Sequence, residues 1–376
     1  MFKILIGSDI VPTPANVDLF AAGYVKSIIG QDLVSVLGYA DFRIFNLETP
    51  IYDGESPIPK CGPNLIAATK TMPGIKAINP SLLALANNHV LDHGDEGLYE
   101  TFRQLDKWEI PYMGAGKNLA EAQKPYIIEA DGKKIGIYNA AEHEFTIAEE
   151  NKAGANPFDL LDSPDHIAKL KTECDFVIVL YHGGKEHYRY PSPYLQKVCR
   201  KIVDKGADLV VCQHSHCVGC QEEYKDSTIV YGQGNFVFSK NYDDEFWQTS
   251  VLVEVEIADT LKINYIPVCL HEQGVRIADE TKANEIMEGF NRRSEEIKKP
   301  GFIYNTYKDF CFYNMKWYLY AISGGETNLK RSYAEYEPNY EATDCLLMIN
   351  YLECEPHREI LTTLSHELAK EKLKEN

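Results

Sequence analysis

The sequence lacks any long apolar run. Its 376 residues contain no stretch of about 18 consecutive apolar residues, so we expect no membrane-spanning helix. The first residues, MFKILIGSDIVPT, also lack the extended apolar segment and the small-residue cleavage site of a secretory signal. We therefore expect a cytoplasmic protein, in which the ten cysteines are reduced thiols.

Basic residues are also scarce. The chain has 38 Lys and Arg residues against 56 Asp and Glu residues, which gives a net charge of −18. Non-specific nucleic-acid binding needs a basic face, so nucleic acid is not an expected partner. An anionic small molecule or polymer is still a candidate substrate, because a local basic pocket can override the field of the whole protein.

The sequence has no internal repeat and no low-complexity tract, and its apolar pattern predicts an α/β fold. Up to about residue 256, short apolar runs alternate with helical stretches. The clearest helix is 193–205, where Pro193 near the start and Gly206 after the end match the usual preferences of helix termini. The predicted buried strands are 2–7, 42–47, 82–86, 134–141, 175–181, 208–212 and 228–232.

The pattern changes in the last third of the chain. Segments 249–257 and 261–268 alternate apolar and polar residues, which predicts an antiparallel hairpin. Beyond residue 275 the sequence is helical and charged, and the aromatic segment 304–322 has amphipathic spacing. We predict one domain over 1–275 and a mainly helical extension over 276–376, which packs on that domain or on a partner subunit in a homo-oligomer.

Polar side chains follow the predicted strands where each strand ends. A single Asp, Asn or His at such a position is usually an ordinary turn or hydrogen-bonding residue. Turn chemistry does not require three imidazoles and two carboxylates at one edge, however, and ligands of open α/β sheets bind beyond the carboxyl ends of the strands. The residues concerned are Asp9, Asn46, Glu48, Asn87, Asn88, His89, Asp92, His182, His214 and His216.

This set has the chemistry of a site for two divalent metal ions. Carboxylate, amide and imidazole ligands together favour Mn, Fe or Zn over Ca or Mg. Two ions a few ångströms apart lower the pKa of a bridging water and neutralise a phosphoryl transition state. His89 is adjacent to a ligand and could donate a proton to a leaving group. The predicted ligands are Asp9 and His216 for one ion, Asn88, His182 and His214 for the other, and Glu48 as the bridge.

The segment VVCQHSHCVGC, residues 210–220, allows two other interpretations. Cys217 and Cys220 form a C-x-x-C that could hold a structural zinc together with His214 and His216. A closed zinc module generally needs a second, separated pair of ligands, and no such pair follows here. A redox C-x-x-C normally opens a helix after a strand, which this one is not predicted to do. The site at the strand ends is therefore the favoured interpretation.

Six sequence blocks resemble a known family. NLETP, LANNHVLDHG, GAG, YHGGKEHY, GADLVVCQHSH and YGQGNFVF occur in the order found in the capsule-biosynthesis protein CapA (PgsA-like) family of the calcineurin-like metallophosphatase superfamily. The resemblance covers roughly residues 1–256. It implies a four-layer α/β/β/α sandwich with a dinuclear metal centre.

The resemblance also implies roles for individual residues. Glu48 stands where the superfamily has a bridging Asp, and Asn88 and His89 match an Asn-His pair of ligand and proton donor. We predict His89 and Asp92 as the catalytic residues. The other matches are Asp9, His182, His214 and His216 as metal ligands, and Glu186 and Asn235 as further residues of the site.

Two departures from the family pattern affect the first metal. Ser8 is inserted where the family usually has Gly-Asp directly, and no His follows Asp9 at the usual position, which leaves that ion one ligand short. The segments KCGPN, AEHEF and YRYPSP have the character of pocket elements in a subgroup. We predict that an anionic substrate is bound by Lys60, Glu142, Lys185, Glu186, Arg189 and Asn235.

The resemblance implies two functions of different classes. The first is a metal-dependent hydrolase of phosphoesters or amides that is linked to capsule or poly-γ-glutamate biosynthesis. The second is a non-catalytic assembly factor of such a biosynthetic complex, which keeps the metal fold as a scaffold. The presence of His89, which a scaffold would not need, favours the enzyme.

Overall fold

The computed structural model describes residues 1–238, 244–322 and 341–374. The helices are α1 (Val17–Ala22), α2 (Val25–Tyr39), α3 (Met72–Ile78), α4 (Gly94–Lys107), α5 (Leu119–Ala122), α6 (Ser163–Glu173), α7 (Pro193–Asp204), α8 (Glu245–Gln248), α9 (Glu280–Glu296), α10 (Phe302–Ile322), α11 (Ala342–Glu353) and α12 (Glu355–Lys374). The strands are β1 (Phe2–Val11), β2 (Phe42–Leu47), β3 (Leu82–Ala84), β4 (Tyr112–Met113), β5 (Ala115–Gly116), β6 (Tyr126–Ala130), β7 (Lys133–Ala141), β8 (Gly154–Ala155), β9 (Phe176–His182), β10 (Leu209–Gln213), β11 (Gln221–Tyr224), β12 (Ser227–Tyr231), β13 (Asn235–Phe238), β14 (Thr249–Ile257), β15 (Leu261–His271) and β16 (Gly274–Ile277).

The strands form two large sheets rather than one. The first sheet has the order β16-β15-β14-β1-β2-β3-β4, with β13 also paired to β1, and the second has the order β11-β12-β10-β9-β7-β6. The predicted strands and the predicted hairpin of β14 and β15 are confirmed. The expectation that all the polar strand ends share one edge is wrong, because β1, β2 and β3 belong to the first sheet whereas β9 and β10 belong to the second.

Alternation along the strands shows how the sheets are covered. In β9, Ile178 and Leu180 pack against residues of the first sheet, whereas Val177 and Val179 pack against α6 and α7. In β1, Ile4 and Ile6 face the second sheet and Leu5 faces the helices on the opposite side. Because successive side chains of a strand point to opposite faces, both sheets are buried on both faces. The predicted four-layer α/β/β/α sandwich is confirmed.

Helix α7 forms where the sequence predicts it. Ser192 caps its N-terminus by accepting a hydrogen bond from the Leu195 amide at 3.0 Å, and Pro193 occupies the first turn. The buried residues of the helix are the apolar positions of the predicted face, Leu195, Val198, Cys199, Ile202 and Val203. Strand β3, in contrast, ends two residues earlier than predicted, because the Ala86 amide donates to the side chain of Asn139 at 2.9 Å instead of continuing the ladder.

The C-terminal helices pack on the sandwich. The buried guanidinium of Arg293 in α9 donates to the carbonyl oxygens of Gly219 and Val218 at 2.8 and 2.9 Å. Helices α10 and α12 both contact α7, and the aromatic segment 304–322 lies within α10 as predicted. Strand β16 extends the first sheet to residue 277, two residues beyond the predicted boundary, and the division into 1–275 and 276–376 stays a prediction.

Candidate metal centre

The end of β1 is shaped by one extra residue. Ile6 pairs with Ile44 of β2, and the next pair along the ladder joins Asp9 to Asn46. Between these two pairs β1 advances by three residues and β2 by two. This irregularity is a β-bulge, a feature that commonly re-aims side chains next to active sites. It accommodates the inserted Ser8 and places the Asp9 carboxylate where the Asn46 side-chain amide donates to Oδ1 at 2.7 Å.

Three carboxylate oxygens are buried at this point without hydrogen-bond partners. Asp9 and Glu48 are completely buried, and Asp9 Oδ2, Glu48 Oε1 and Glu48 Oε2 accept no hydrogen bond from the described residues. Burial raises the pKa of Glu48 well above its usual range, and the negative charge of Asp9 raises it further. A carboxylate in such a place is costly unless a cation or a proton compensates it.

Ligand atoms from both sheets converge beside Glu48. Around His182 Nε2 lie Asn88 Oδ1 at 3.0 Å, His214 Nδ1 at 3.2 Å and Glu48 Oε1 at 3.2 Å. These four side chains come from the ends of β2, β3, β9 and β10. The parallel strands of the two sheets therefore deliver their carboxyl ends to one shared cleft.

A second group surrounds Asp9. His216 Nδ1 lies 3.6 Å from Asp9 Oδ2 and 2.8 Å from Asn235 Oδ1. Asn235 is the register partner of Asp9 in β13, and its Nδ2 is buried without a partner among the described residues. The structure thus brings Asn235 to Asp9 and His216 rather than to the predicted substrate pocket. This is the predicted position of the first metal, for which the sequence lacks a His ligand.

The two histidines of CQHSH reach the cleft through a tight turn. His214 and His216 both have positive φ values, 89° and 53°. Such a conformation costs energy for residues other than glycine and is typical of functional sites. The chain turns here, and both imidazoles project into the cleft.

The protonation of the histidines differs between the two groups. Burial lowers the pKa of His182 to about 4 and the pKa of His214 well below the usual value, so both are neutral imidazoles with a free lone pair. Burial also acts to lower the pKa of His216, but the charges of Glu48 and Asp9 outweigh it and raise this pKa to about 9. A metal ion beside Asp9 would therefore compete with a proton on His216.

These residues fit two metal ions. Glu48 belongs to two groups whose ligand atoms all lie within 4.8 Å of one another, one with Asp9 and His216 and the other with His182 and His214. The unpartnered carboxylate oxygens supply the acceptor sites that divalent ions would fill. A mixed set of carboxylate, amide and imidazole donors suits Mn, Fe or Zn.

His89 is held by a buried ion pair at the edge of the cleft. Its Nδ1 lies 2.5 Å from Asp92 Oδ2, and Asp92 Oδ1 lies 2.5 Å from Lys60 Nζ. Burial, together with the positive charge of Lys60, lowers the pKa of His89 to about 4. Asp92 is completely buried and acts by positioning His89, so only the Nε2 atom of the imidazole is left to meet a substrate.

A cavity of about 220 Å³ opens beside this dyad and the metal groups. It contains the predicted residues Lys60, Glu142, Lys185 and Glu186, together with Glu144 from the same AEHEF segment. The rest of the wall comes from the C-terminal helices and was not predicted from the sequence. The only sequence signal for this part of the wall is the C-x-x-H spacing in ECEPHRE. The residues of that wall are Trp317, Leu347, Asn350, Tyr351, Cys354, Pro356 and His357.

Arg189 is not at this cavity. Its guanidinium donates to the Val218 carbonyl and to Glu245, both at 3.0 Å, and lies over the ring of Phe246. It lines a separate cavity of about 420 Å³ with Arg293. The predicted role of Arg189 in the same pocket as Lys60 is therefore not supported, because its segment turns away after His187.

The cysteine interpretation of 210–220 is also not supported. Cys217 and Cys220 are fully buried, and neither belongs to a group of converging ligand atoms among the described residues. Burial raises the pKa of both thiols, that of Cys217 to about 11. The chain continues from Cys220 into β11 and not into a helix.

Comparison with known proteins agrees with this geometry. The family model described as bacterial capsule synthesis protein PGA_cap matches residues 8–240, which is more than half of the chain. The chain belongs to this family. The match spans β1 to β13 and so contains every strand end that contributes to the cleft.

Two relatives carry matching names. The capsule biosynthesis protein CapA of Bacillus anthracis is 27% identical over 276 residues, which cover 68% of this chain and 66% of that protein. The PGA biosynthesis protein CapA of Bacillus subtilis is 28% identical over 205 residues, which cover 53% of each protein. The matches thus span between about half and two thirds of the length of these relatives.

Solved structures are more distant. The NAD nucleotidase of Haemophilus influenzae superposes with a TM-score of 0.45 at 14% sequence identity, over 76% of this chain and 61% of that chain. A similarity of this size does not bear on activity.

Within the described residues, no helix is both long and apolar enough to cross a membrane.

Proposed function

We propose that this member of the capsule synthesis family is a hydrolase that depends on two divalent ions, Mn, Fe or Zn, and cleaves a phosphoester or amide bond. The observation that carries the proposal is the convergence of two buried ligand groups on Glu48, both of whose oxygens are unpartnered among the described residues. A scaffold would have no need of such a costly arrangement next to an open cavity. The names of the two relatives support a role in capsule or poly-γ-glutamate biosynthesis.

The protein residues have separate tasks in this proposal. Bound ions would activate water and stabilise negative charge on the substrate. Asp9, Glu48, Asn88, His182, His214, His216 and Asn235 would hold the ions. Because the bulge at Ser8 and the turn at 214–216 fix these side chains, the site is preorganised before substrate arrives.

His89 would move a proton at Nε2. The hydrogen bond between Nδ1 and Asp92 fixes the ring, and Lys60 holds Asp92 in turn. With a pKa of about 4, His89 is neutral near pH 7. It can therefore accept at Nε2 the proton that the attacking water loses and pass it to the leaving group.

The charge of the cavity explains how an anionic substrate would bind. Glu142, Glu144 and Glu186 line the cavity together with Lys60 and Lys185, so acidic groups outnumber the lysines there. Two divalent cations would add four positive charges beside these carboxylates. The proposal therefore makes substrate binding dependent on the metals and not on the lysines alone.

Metal content is the first test. Purified protein supplied with Mn should bind two equivalents at the strand-end residues, and Glu48→Ala and His182→Ala should each lose metal, as measured by inductively coupled plasma mass spectrometry. The double variant Cys217→Ser/Cys220→Ser is the matched control and should keep both ions. A wild-type protein that binds no metal at the strand-end residues would refute the hydrolase proposal.

A second candidate function is the non-catalytic assembly factor. It is favoured by one observation, that both relatives are named biosynthesis proteins and neither name describes a hydrolase. His89→Gln separates the two candidates, since it removes the proton-transfer group without touching the predicted ligands. If the protein is a hydrolase, the His89→Gln variant should lose activity on a panel of phosphoesters and amides. If it is an assembly factor, the variant should support polymer production in cells as well as the wild type does.

A further inference from the structure

A third group of ligand atoms lies in the wall of the cavity, outside the two groups that share Glu48. It consists of Glu144 from the core, Cys354 between α11 and α12, and His357 from the first turn of α12, and their ligand atoms all lie within 4.8 Å of one another. Cys354 is buried, while Glu144 and His357 are half-buried and line the cavity. The proposed hydrolytic mechanism uses none of the three.

The spacing within the group suits one tetrahedral ion. Cys354 Sγ lies 3.9 Å from Glu144 Oε1. Two ligands held by the same zinc at ordinary Zn–S and Zn–O lengths are separated by roughly 3.6 Å. Only a small movement of either side chain would bring both to one ion.

The imidazole of His357 is oriented by a hydrogen bond at its Nδ1 atom. Its Nδ1 lies 2.6 Å from the hydroxyl of Tyr318, a buried residue of α10, which leaves Nε2 for the cavity. Metal-binding histidines commonly use the second ring nitrogen in this way, and the partner fixes the tautomer and the ring orientation.

The charge around the group favours a cation. Cys354 Sγ also lies 3.9 Å from Glu142 Oε1, so a thiol and two carboxyl groups share one apolar wall. Burial, together with these neighbouring carboxylates, raises the pKa of Cys354 well above its usual range, and burial raises that of Glu144 to about 6. The charges of Lys60 and Lys185 act to lower the pKa of Glu144, but burial outweighs them.

We propose that Glu144, Cys354 and His357 bind a zinc ion that joins the C-terminal helices to the core at the cavity wall. Thiolate, imidazole and carboxylate are the ligands zinc takes in proteins, and three protein ligands leave the fourth position open. That position faces the cavity, where it would bind water or an anionic group of the substrate. The alternative group of Glu142, Glu144 and His214 is less suitable for a zinc ion, because His214 already belongs to the group with Glu48 and His182.

Cobalt titration of the reduced full-length protein tests this site. Bound to the proposed ligands, Co²⁺ should give a near-ultraviolet thiolate-to-cobalt charge-transfer band that Cys354→Ser abolishes, with the loss of one equivalent of bound metal. Cys345→Ser, an exposed cysteine of α11, and Cys61→Ser, a second thiol of the cavity, are the matched controls and should keep the band. Tyr318→Phe should weaken Co²⁺ binding at this band by about 10–100-fold, since it removes only the group that orients His357.

The outcomes separate this site from the dinuclear centre. Glu48→Gln should lower the metal content without changing the charge-transfer band, so failure of either proposal is visible independently of the other. A wild-type protein without the band, a band that persists in Cys354→Ser, or a band that follows Cys61 would overturn the zinc site. Circular dichroism of each variant shows whether it folds, and Tyr318→Phe decides the question if Cys354→Ser does not.

Discussion

Glu48 shows how a single buried residue can set the stability of the whole protein. Its carboxylate lies at the end of β2, is fully buried, and has no hydrogen-bond partner among the described residues. Without metal, this group must be held as a proton-bearing acid or as an unpaired charge, and both are unfavourable at neutral pH. In the proposed metal-bound state, the same carboxylate would be a ligand shared by the two groups.

This reversal predicts opposite effects of Glu48→Gln with and without metal. In the presence of a chelator, the substitution should raise the free energy of unfolding by about 1–3 kcal/mol, because it removes a buried unpaired acid. In saturating Mn or Zn the substitution should lower the free energy of unfolding, since metal binding to the native state adds stability only when the site is intact. Urea unfolding with and without chelator measures both, and Glu150→Gln, an exposed Glu, should change neither. The same sign in both conditions would contradict the metal site.

At the scale of elements, helix α12 is attached to the core by polar contacts at its first turns. Glu355 accepts hydrogen bonds from the backbone amide of His143 at 3.0 Å and from its ring Nδ1 at 2.8 Å. Glu359 accepts from the Tyr194 amide at 2.8 Å and from the Ser192 hydroxyl. The helix that carries His357, and that directly follows Cys354, is therefore positioned by ionisable groups.

The His143–Glu355 contact predicts a pH dependence. The hydrogen bond with Glu355 raises the pKa of His143, so its contribution to stability is complete below about pH 6.5 and is lost as the pH rises through the higher folded value. Burial acts to raise the pKa of Glu355, but His143 lowers it overall, so that contribution is present above about pH 4.3 and is lost as the pH falls. The pair should therefore stabilise the protein most between these two values.

Thermal unfolding of wild type and His143→Gln across this pH range is the measurement. The difference in Tm between the two proteins should be largest near pH 5–6 and should shrink toward pH 8. His366→Gln, on the exposed side of the same helix, is the control and should show no such window. A difference that stays constant with pH would mean that the ion pair does not attach α12.

At the scale of the whole molecule, the metal cleft depends on the packing of one sheet against the other. Its ligands are divided between the two sheets, and the apolar layer between them sets the distance from Glu48 to His182 and His214. Close-packed interiors transmit small changes of volume to the groups they support. A defect in this layer should therefore be felt at the metals.

Ile178→Ala tests the coupling between this layer and the cleft. Ile178 is fully buried in the middle of β9, and its truncation should lower the free energy of unfolding by about 2–5 kcal/mol. It should also weaken metal binding, because β9 ends at His182. Ile127→Ala, on the exposed side of β6 in the same sheet, should cost about 1 kcal/mol or less and leave metal binding unchanged. Urea unfolding and a metal titration compare the two variants, and equal metal affinity in both would show that the sheets do not position the ligands.

Local patterns allowed the predicted strands, helix α7 and the polar strand ends to be read from the sequence. Apolar alternation and helix-terminus preferences act over a few residues, so the buried face of α7 is predicted residue by residue. The residues around Glu48 were likewise predictable, because each lies at or shortly after the end of a strand. Asn235 was predicted at the site but with a different role, since only the pairing of β13 with β1 brings it to Asp9.

By itself, the sequence determined the α/β class, the order of elements and the chemical types at the strand ends, because these depend on neighbouring residues. Only the tertiary structure decided that the ends belong to two sheets, that Arg189 turns away, and that Trp317, Cys354 and His357 close the cavity. Those contacts join residues up to about two hundred positions apart, as Glu142 and Cys354 do. No short-range pattern records such a contact, since it is set by how whole layers pack against one another.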